Sequence, residues 1–255
     1  MISPTIGFTA LSGLGEIEPG ADLAHLIVRA LEQQSLALAA DDVLVVAQKI
    51  VSKAEGRFVE LARVVPSEQA RQLAQLTGKD PRLVEVILAE SEEVVRATRN
   101  VLIVRHRLGF VMANAGVDRS NIPRAAGERV LLLPRDPEAS AQALRARLLE
   151  LRHERVGIII SDSFGRPWRR GVVNVALGSA GIPALIDRRG ELDRDSRKLE
   201  VTEVAFADAV AGGAGLAMGE GAEGTPVVHV RGLAPRAPER SAAALLRTRA
   251  EDLFR

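Results

Sequence analysis

The sequence predicts a protein of mixed helix and strand, either α+β or mixed α/β. Three observations predict it. Short apolar runs, most of them rich in β-branched residues, recur at Val43–Ala47, Val101–Val104, Val130–Leu133, Val156–Ile160 and Val227–Val230, each the length of a buried strand. Between them lie segments with helical spacing and recognisable starts, such as Asp22, Ser67 and Asp80-Pro81. Apolar residues make up 47% of the 255, enough for a sizeable core in one large domain or two small lobes.

Taken in order, Pro4 to Gly20 reads as a strand followed by a Gly/Pro-rich turn. Asp22 caps a helix reaching Leu36, with Leu23, Leu26, Ile27, Ala30 and Leu31 on its apolar face. The strand at Val43–Ala47 leads into Gln48-Lys49-Ile50-Val51-Ser52-Lys53. Pro66 to Val95 reads as predominantly helical, with the acidic run Glu90, Glu92 and Glu93 as a solvated face. Strands follow at Val101–Val104 and Glu128–Pro134, then an Ala/Leu/Arg helix from Asp136 to Arg155. Ile186 to Glu200 is a dense mixed-charge segment, read as a solvated connection. Val201 to Gly215 reads as strand then helix, and Met218 to Pro226 as a Gly-rich acidic loop. His229 alternates within an apolar strand, the setting of a packed core histidine. The expected division is a domain over 1–240 and a helical tail over 241–255.

Composition excludes several function classes. Lys+Arg 34 against Asp+Glu 33 argues against a general nucleic-acid or membrane surface. With no Cys there are no disulfides, zinc-thiolate sites or thiol nucleophiles. With no Tyr and 3% aromatics, stacking platforms for single strands are not expected. The start, MISPTIGFTAL, lacks a signal-peptide pattern, and no apolar run approaches a membrane span. These features predict a soluble cytoplasmic protein.

The chemistry concentrates at strand ends. Val156–Ile160 stops at Ser161-Asp162-Ser163, where a carboxylate and two hydroxyls offer hard oxygen ligands for Mg²⁺ or Mn²⁺. A loop follows with Arg166, Arg169, Arg170 and the only Trp, Trp168. Guanidiniums beside such a carboxylate suit a phosphate or carboxylate. Upstream, a strand ends in Asp118, Ser120 and Asn121, so Asp118 and Asp162 offer two ligands from different strands. Lys49 and Lys53 are two of only four lysines in an Arg-rich chain, compact ammoniums of the kind used on phosphates. No P-loop, Rossmann fingerprint or nucleophile elbow is present. The remaining set favours phosphate and divalent-metal chemistry over acyl-enzyme or redox chemistry.

Five stretches taken together resemble one family: DVLVVAQKIVSKAEGR (42–57), NAGVDRSN (114–121), SDSFGRPWRRG (161–171), LEVTEVAFAD (199–208) and VVHVRGL (227–233). They are similar, in order, to the coenzyme F420-0:L-glutamate ligases. The resemblance implies a distinct two-lobed α+β fold with mixed sheets and flanking helices. It implies GTP-dependent addition of L-glutamate to F420-0 by a homodimer, with Mg²⁺ or Mn²⁺ and a possible monovalent cation such as K⁺. It implies metal ligation by Asp118, Asp162, Ser163 and Glu220, and nucleotide contacts from Leu14, Gly15, Glu16, Ile17, Gln48, Lys53 and Asn121, with Lys49 beside them. Lys53, Arg166 and Arg169 are the expected catalytic residues.

The segment from Ile186 to Leu199 departs from the family pattern, losing two tyrosines and a glycine. That leaves open a ligase for another carboxylate acceptor. A nucleotide- and metal-binding regulatory protein without catalysis is the alternative from another class.

Overall fold

A computed structural model describes residues 5–120, 128–235 and 237–252, and its fold is α+β. The strands are β1 (Gly7–Leu11), β2 (Val43–Ala47), β3 (Phe58–Glu60), β4 (Ser91–Thr98), β5 (Val101–His106), β6 (Val111–Ala113), β7 (Arg129–Leu131), β8 (Gly157–Arg166), β9 (Arg169–Ala180), β10 (Ile186–Asp187), β11 (Glu203–Val204) and β12 (Val227–Arg231). The α-helices are α1 (Leu23–Gln33), α2 (Gln48–Ala54), α3 (Glu68–Thr77), α4 (Pro81–Ala89), α5 (Pro137–Arg152) and α6 (Phe206–Met218).

The central sheet has five strands in the order β1-β12-β2-β8-β9. Only the β2–β8 pair is parallel. Side chains alternate across it as a strand requires. Leu44, Val46, Ile158 and Ile160 pack beneath α1 and α5, meeting Ile27, Leu31 and Leu148. Val43, Val45, Ile159, Val228 and Val230 face α6, meeting Val210, Ala211 and Ala214. Burial on both faces explains why β2 and β8 read as unbroken apolar runs.

Helix α5 packs tightly on β9. A Cβ on Gly178 would lie 2.3 Å from the Pro137 carbonyl carbon, at the first turn of α5. Neither the rigid Pro backbone nor the strand can yield. Gly178→Ala is therefore expected to cost at least about 2 kcal/mol, seen as a Tm lower by several degrees in a thermal melt.

A separate core lies under α3 and α4. They cover the antiparallel sheet β4-β5-β6 through Ala70, Ala74, Val84, Ile87, Leu102 and Val104. Here the helical expectation for Pro66–Val95 fails at its end. Ser91–Thr98 is strand β4, paired with β5. The acidic residues obscured the alternation, and tertiary pairing overrides their weak local preference.

Caps are where they were predicted: the side chains of Asp22, Ser67 and Asp80 accept from the N–H groups of His25, Ala70 and Arg82. His153 ends α5 in the left-handed conformation. The tail differs from expectation. Ser241 to Asp252 forms two 3-10 turns, Ala242–Leu245 and Arg249–Glu251, instead of a continuous helix. Leu246 packs beside Phe110 and Leu133, so side-chain docking on the body sets the tail's path.

Two ion clusters tie the layers together. Asp42 accepts from His229 Nε2 at 2.7 Å and from Arg231 Nη2 at 2.6 Å, all at the end of the central sheet. Glu90, at the end of α4, accepts from Arg57 Nη2 at 2.8 Å and Arg107 Nε at 3.2 Å, with His106 Nε2 at 3.4 Å. Burial alone would raise the Glu90 carboxyl, but His106, Arg57 and Arg107 bring it down to about 2.

Candidate active site

The site begins with the parallel pair. In the β2–β8 register Ala47 lies beside Ser161, so the parallel pairing ends there, where β2 stops. Gln48 then opens α2 directly, while Asp162 and Ser163 continue along β8. Ligand sites in sheets of this kind gather at the carboxyl ends of parallel strands. The loop expected after Val156–Ile160 is instead a long hairpin. Strands β8 and β9 pair out to Arg166 and Arg169, and Pro167-Trp168 make the turn. Trp168 has φ 62° and is 88% exposed.

Two cavities meet at this edge. A smaller one of about 270 Å³ lies between the Gly15–Ile17 turn, α2 and the Met218–Pro226 loop. A larger one of about 880 Å³ lies between the β8–β9 hairpin and the β4-β5-β6 sheet. Gln48, Lys49, Asp162 and Ser163 line both. They form a shared wall.

The expected residues divide between the chambers. Gly15, Glu16, Ile17, Lys53 and Glu220 line the smaller one. Asp118, Arg166 and Arg169 line the larger one. Leu14 lines neither; its side chain is packed in the core below α1. Asn121 lies outside the described residues. The expected metal set is not gathered as one group, because Asp118 and Glu220 stand in different chambers. Among the described residues no three Asp, Glu, His or Cys side chains come together to hold a metal ion.

Electrostatics single out the shared wall. Lys49 Nζ sits 2.6 Å from Asp118 Oδ2 and donates to Ser120 Oγ at 2.7 Å. Burial would raise the Asp118 carboxyl, but Lys49 and the Ser120 N–H and hydroxyl lower it. Asp162 behaves oppositely. Burial pushes it up to about 7, the Asp118 charge adds to this, and the Ser163 N–H, Lys49 and Gln48 only partly compensate. Two carboxylates thus repel across a site where one ammonium supplies the positive charge. An oxygen-seeking divalent cation suits this donor set, with Ser163 beside Asp162. Lys53 is buried and donates to Glu16 across the smaller chamber.

Ser161, named from the sequence with Asp162 and Ser163, lines the smaller chamber, and its Oγ is buried with no hydrogen-bond partner among the described residues. Asn174 and Arg96 escaped the sequence reading. Asn174 sits opposite Ser163 on β9 and lines the smaller chamber. A Cβ on Gly215 of α6 would lie 2.8 Å from the Asn174 side-chain carbon, so the helix approaches here only as glycine. The isolated polar residue in an apolar run was the available signal for Asn174. Arg96 lines the larger chamber from β4; it stands just past the helix expected to Val95, and the strand that carries it was not foreseen.

The F420-0:Gamma-glutamyl ligase family matches residues 13–232. The chain belongs to this family. A protein of Methanopyrus kandleri named Coenzyme F420:L-glutamate ligase is 46% identical over 256 residues, spanning 99% of this chain and 98% of the relative. Namesakes in Methanothermobacter thermautotrophicus and Methanocaldococcus jannaschii are 43% and 44% identical, spanning 98% and 84% of this chain. Both chambers draw nearly all their walls from the matched segment; Asp252 of the larger one lies beyond it. No helix among the described residues is long and apolar enough to cross a membrane.

Proposed function

We propose that this protein, as a γ-glutamyl ligase, joins L-glutamate to coenzyme F420-0 by an amide bond, using GTP and Mg²⁺ or Mn²⁺, and works as a homodimer. The observation that supports this reading best is the meeting of two chambers at Gln48, Lys49, Asp162 and Ser163. A ligase that spends a nucleotide on an acceptor needs both substrates to reach one point from separate sides. The relatives' name supplies L-glutamate and coenzyme F420 as the chemistry. The smaller chamber carries most of the residues that the resemblance assigns to GTP, including Lys53.

A carboxylate does not condense with an amine without a better leaving group. An oxygen of the acceptor carboxylate attacks the γ-phosphorus of GTP, and the bond to the β-phosphate oxygen breaks to release GDP. The α-amine of glutamate then attacks the acyl carbon of the acyl phosphate. Inorganic phosphate departs and the amine loses its proton, leaving the amide. Lys53 presents a buried ammonium to the phosphate chain. Lys49 holds Asp118 in place and keeps positive charge at the shared wall. Asp118, Asp162 and Ser163 would hold the divalent cation, which when bound neutralises charge on the transferring phosphoryl group.

The segment that departs from the family pattern bears on the choice of acceptor. No residue from 186 to 200 lines either chamber. Its strand β10 pairs with β11, just beyond the segment, in a two-stranded sheet separate from the central one. This favours F420-0 over an altered acceptor.

Incubation with F420-0, GTP and glutamate, followed by mass spectrometry, is expected to show a glutamate adduct and count the residues added. With ¹⁸O in the acceptor carboxylate, label is expected in the released phosphate. Unlabelled phosphate would sink the acyl-phosphate route, and no adduct would sink the acceptor assignment.

A further inference from the structure

We infer that residues 247–252 form a strap at the rim of the larger chamber, hinged at Leu246, that lifts to admit the acceptor and settles again for ligation. This rests on the ligase reading above for the ligand that passes and for the acyl phosphate that closure would shield from water.

The first observation is where the strap is anchored. The chain arrives at its hinge firmly held. Arg240 donates its N–H to the Ile182 carbonyl at 3.2 Å and accepts from the Ala184 N–H at 2.9 Å. Ala242 is buried in the core below α6, and its N–H donates to Glu138 at 3.3 Å. Leu246 then packs with Phe110, Met112, Phe164 and Leu177. These come from both sides of the chamber: Phe110 and Met112 from the β6 side, Phe164 and Leu177 from the β8–β9 hairpin. Phe110 and Phe164 meet edge to face with centroids 6.1 Å apart. A Cβ on Gly109 would lie 3.0 Å from Leu246 Cδ1, so the leucine sits tightly on the turn between β5 and β6. The hinge is therefore fixed at the joint where the two walls meet.

The second observation is how little holds the chain beyond that joint. Arg247 to Glu251 are all exposed. Their 3-10 turn at Arg249–Glu251 buries none of its residues. Among the described residues no backbone hydrogen bond joins 247–252 to another segment. Arg249 reaches Glu93 of β4, and Asp252 reaches Arg105 of β5, each at 3.5 Å. Ion pairs this long hold weakly. A segment with few buried apolar contacts opens while the rest of the fold stays closed.

The third observation is where the free end lies. Asp252 lines the larger chamber together with Val95 and Arg96 of β4 and Arg166 and Arg169 of the hairpin. The strap thus runs from the joint across β4 and β5 to the rim. It ends in a carboxylate beside walls that carry three guanidiniums, which favours the closed position.

The chain has no Cys, so Glu93→Cys with Arg249→Cys creates one thiol pair. A bis-methanethiosulfonate spanning the lost ion pair locks the strap, and dithiothreitol releases it. Trp168 is the only tryptophan and lines the chamber, so its fluorescence follows F420-0 association; GTP binding is measured by calorimetry. Bridging is expected to slow F420-0 association, and ligation with it, by about 10-fold or more. GTP affinity should stay within about twofold, and reduction should restore both rates. Trypsin reads the strap without any cysteine: cutting after Arg247 and Arg249 is expected to be about threefold faster in Asp252→Asn than in wild type. Ligation by wild type with unchanged F420-0 association in the bridged protein overturns this inference and leaves the ligase reading standing. A loss shared by either single-cysteine variant under the same reagent, or equal trypsin cutting of Asp252→Asn and wild type, overturns it too. Absence of ligation by wild type overturns the ligase reading and this inference with it.

Discussion

Asp162→Asn is expected to lower glutamate ligation at least about 100-fold while leaving the fold intact. Asp162 stands on the shared wall of both chambers, and Asn keeps its shape but loses the charge that a divalent cation requires. The same change should stabilise the metal-free protein at neutral pH. An unfolded Asp ionises near 3.8, whereas burial and the Asp118 charge hold the folded carboxyl up to about 7. Between those values the folded state binds the extra proton, so this group makes stability fall as pH rises from about 4 to 7. Asn has no such titration. Its melting temperature in chelator should exceed that of wild type at pH 7, and the difference should shrink towards pH 4. Activity close to wild type would remove Asp162 from the chemistry. A variant less stable than wild type at pH 7 would show that the carboxylate is satisfied in a way its surroundings do not indicate.

Glu90→Gln is expected to cost about 3 kcal/mol of stability, or roughly 6–12 °C in Tm for a chain of this size. Glu90 accepts from Arg57 and Arg107 and faces the fully buried His106. An amide leaves the Arg57 guanidinium enclosed without a compensating charge. The wild-type contribution depends on pH in the opposite sense to that of Asp162. With the folded carboxyl lowered to about 2 from 4.5, the contribution is complete above 4.5 and is lost as pH falls towards 2. Acid unfolding followed by circular dichroism should show wild type and Glu90→Gln converging below about pH 3. Parallel curves with a constant gap would contradict the assignment. Glu90 lines neither chamber, so ligation at low temperature should survive in the variant, separating a stability residue from a site residue.

Much of the fold is legible locally. Strands β2, β8 and β12 are short, apolar and β-branched because both faces of the central sheet are covered. Helix starts at Asp22, Ser67 and Asp80 follow from side chains that satisfy free N–H groups. Two readings fail for a common reason. Ser91–Thr98 and the end of β8 are polar strands, and their partners β5 and β9 decide their conformation. No local propensity carries that information.

The candidate site divides the same way. The sequence by itself determined the residue types: Asp118, Asp162, Lys49, Lys53 and the arginines after β8, with family resemblance adding the Gly15–Ile17 turn and Glu220. Only the tertiary structure decided which of them meet. The parallel register of β2 and β8 brings Gln48 beside Asp162 from more than a hundred residues away. The separation of the β8–β9 hairpin from the β4-β5-β6 sheet opens the larger chamber and puts Arg96 on its wall. It also parts Glu220 from Asp118, which the linear order could not foresee. Residue chemistry is written in the chain one position at a time. Register, bulges and the spacing between layers are set by contacts between distant segments, and these determine which charges share a cavity.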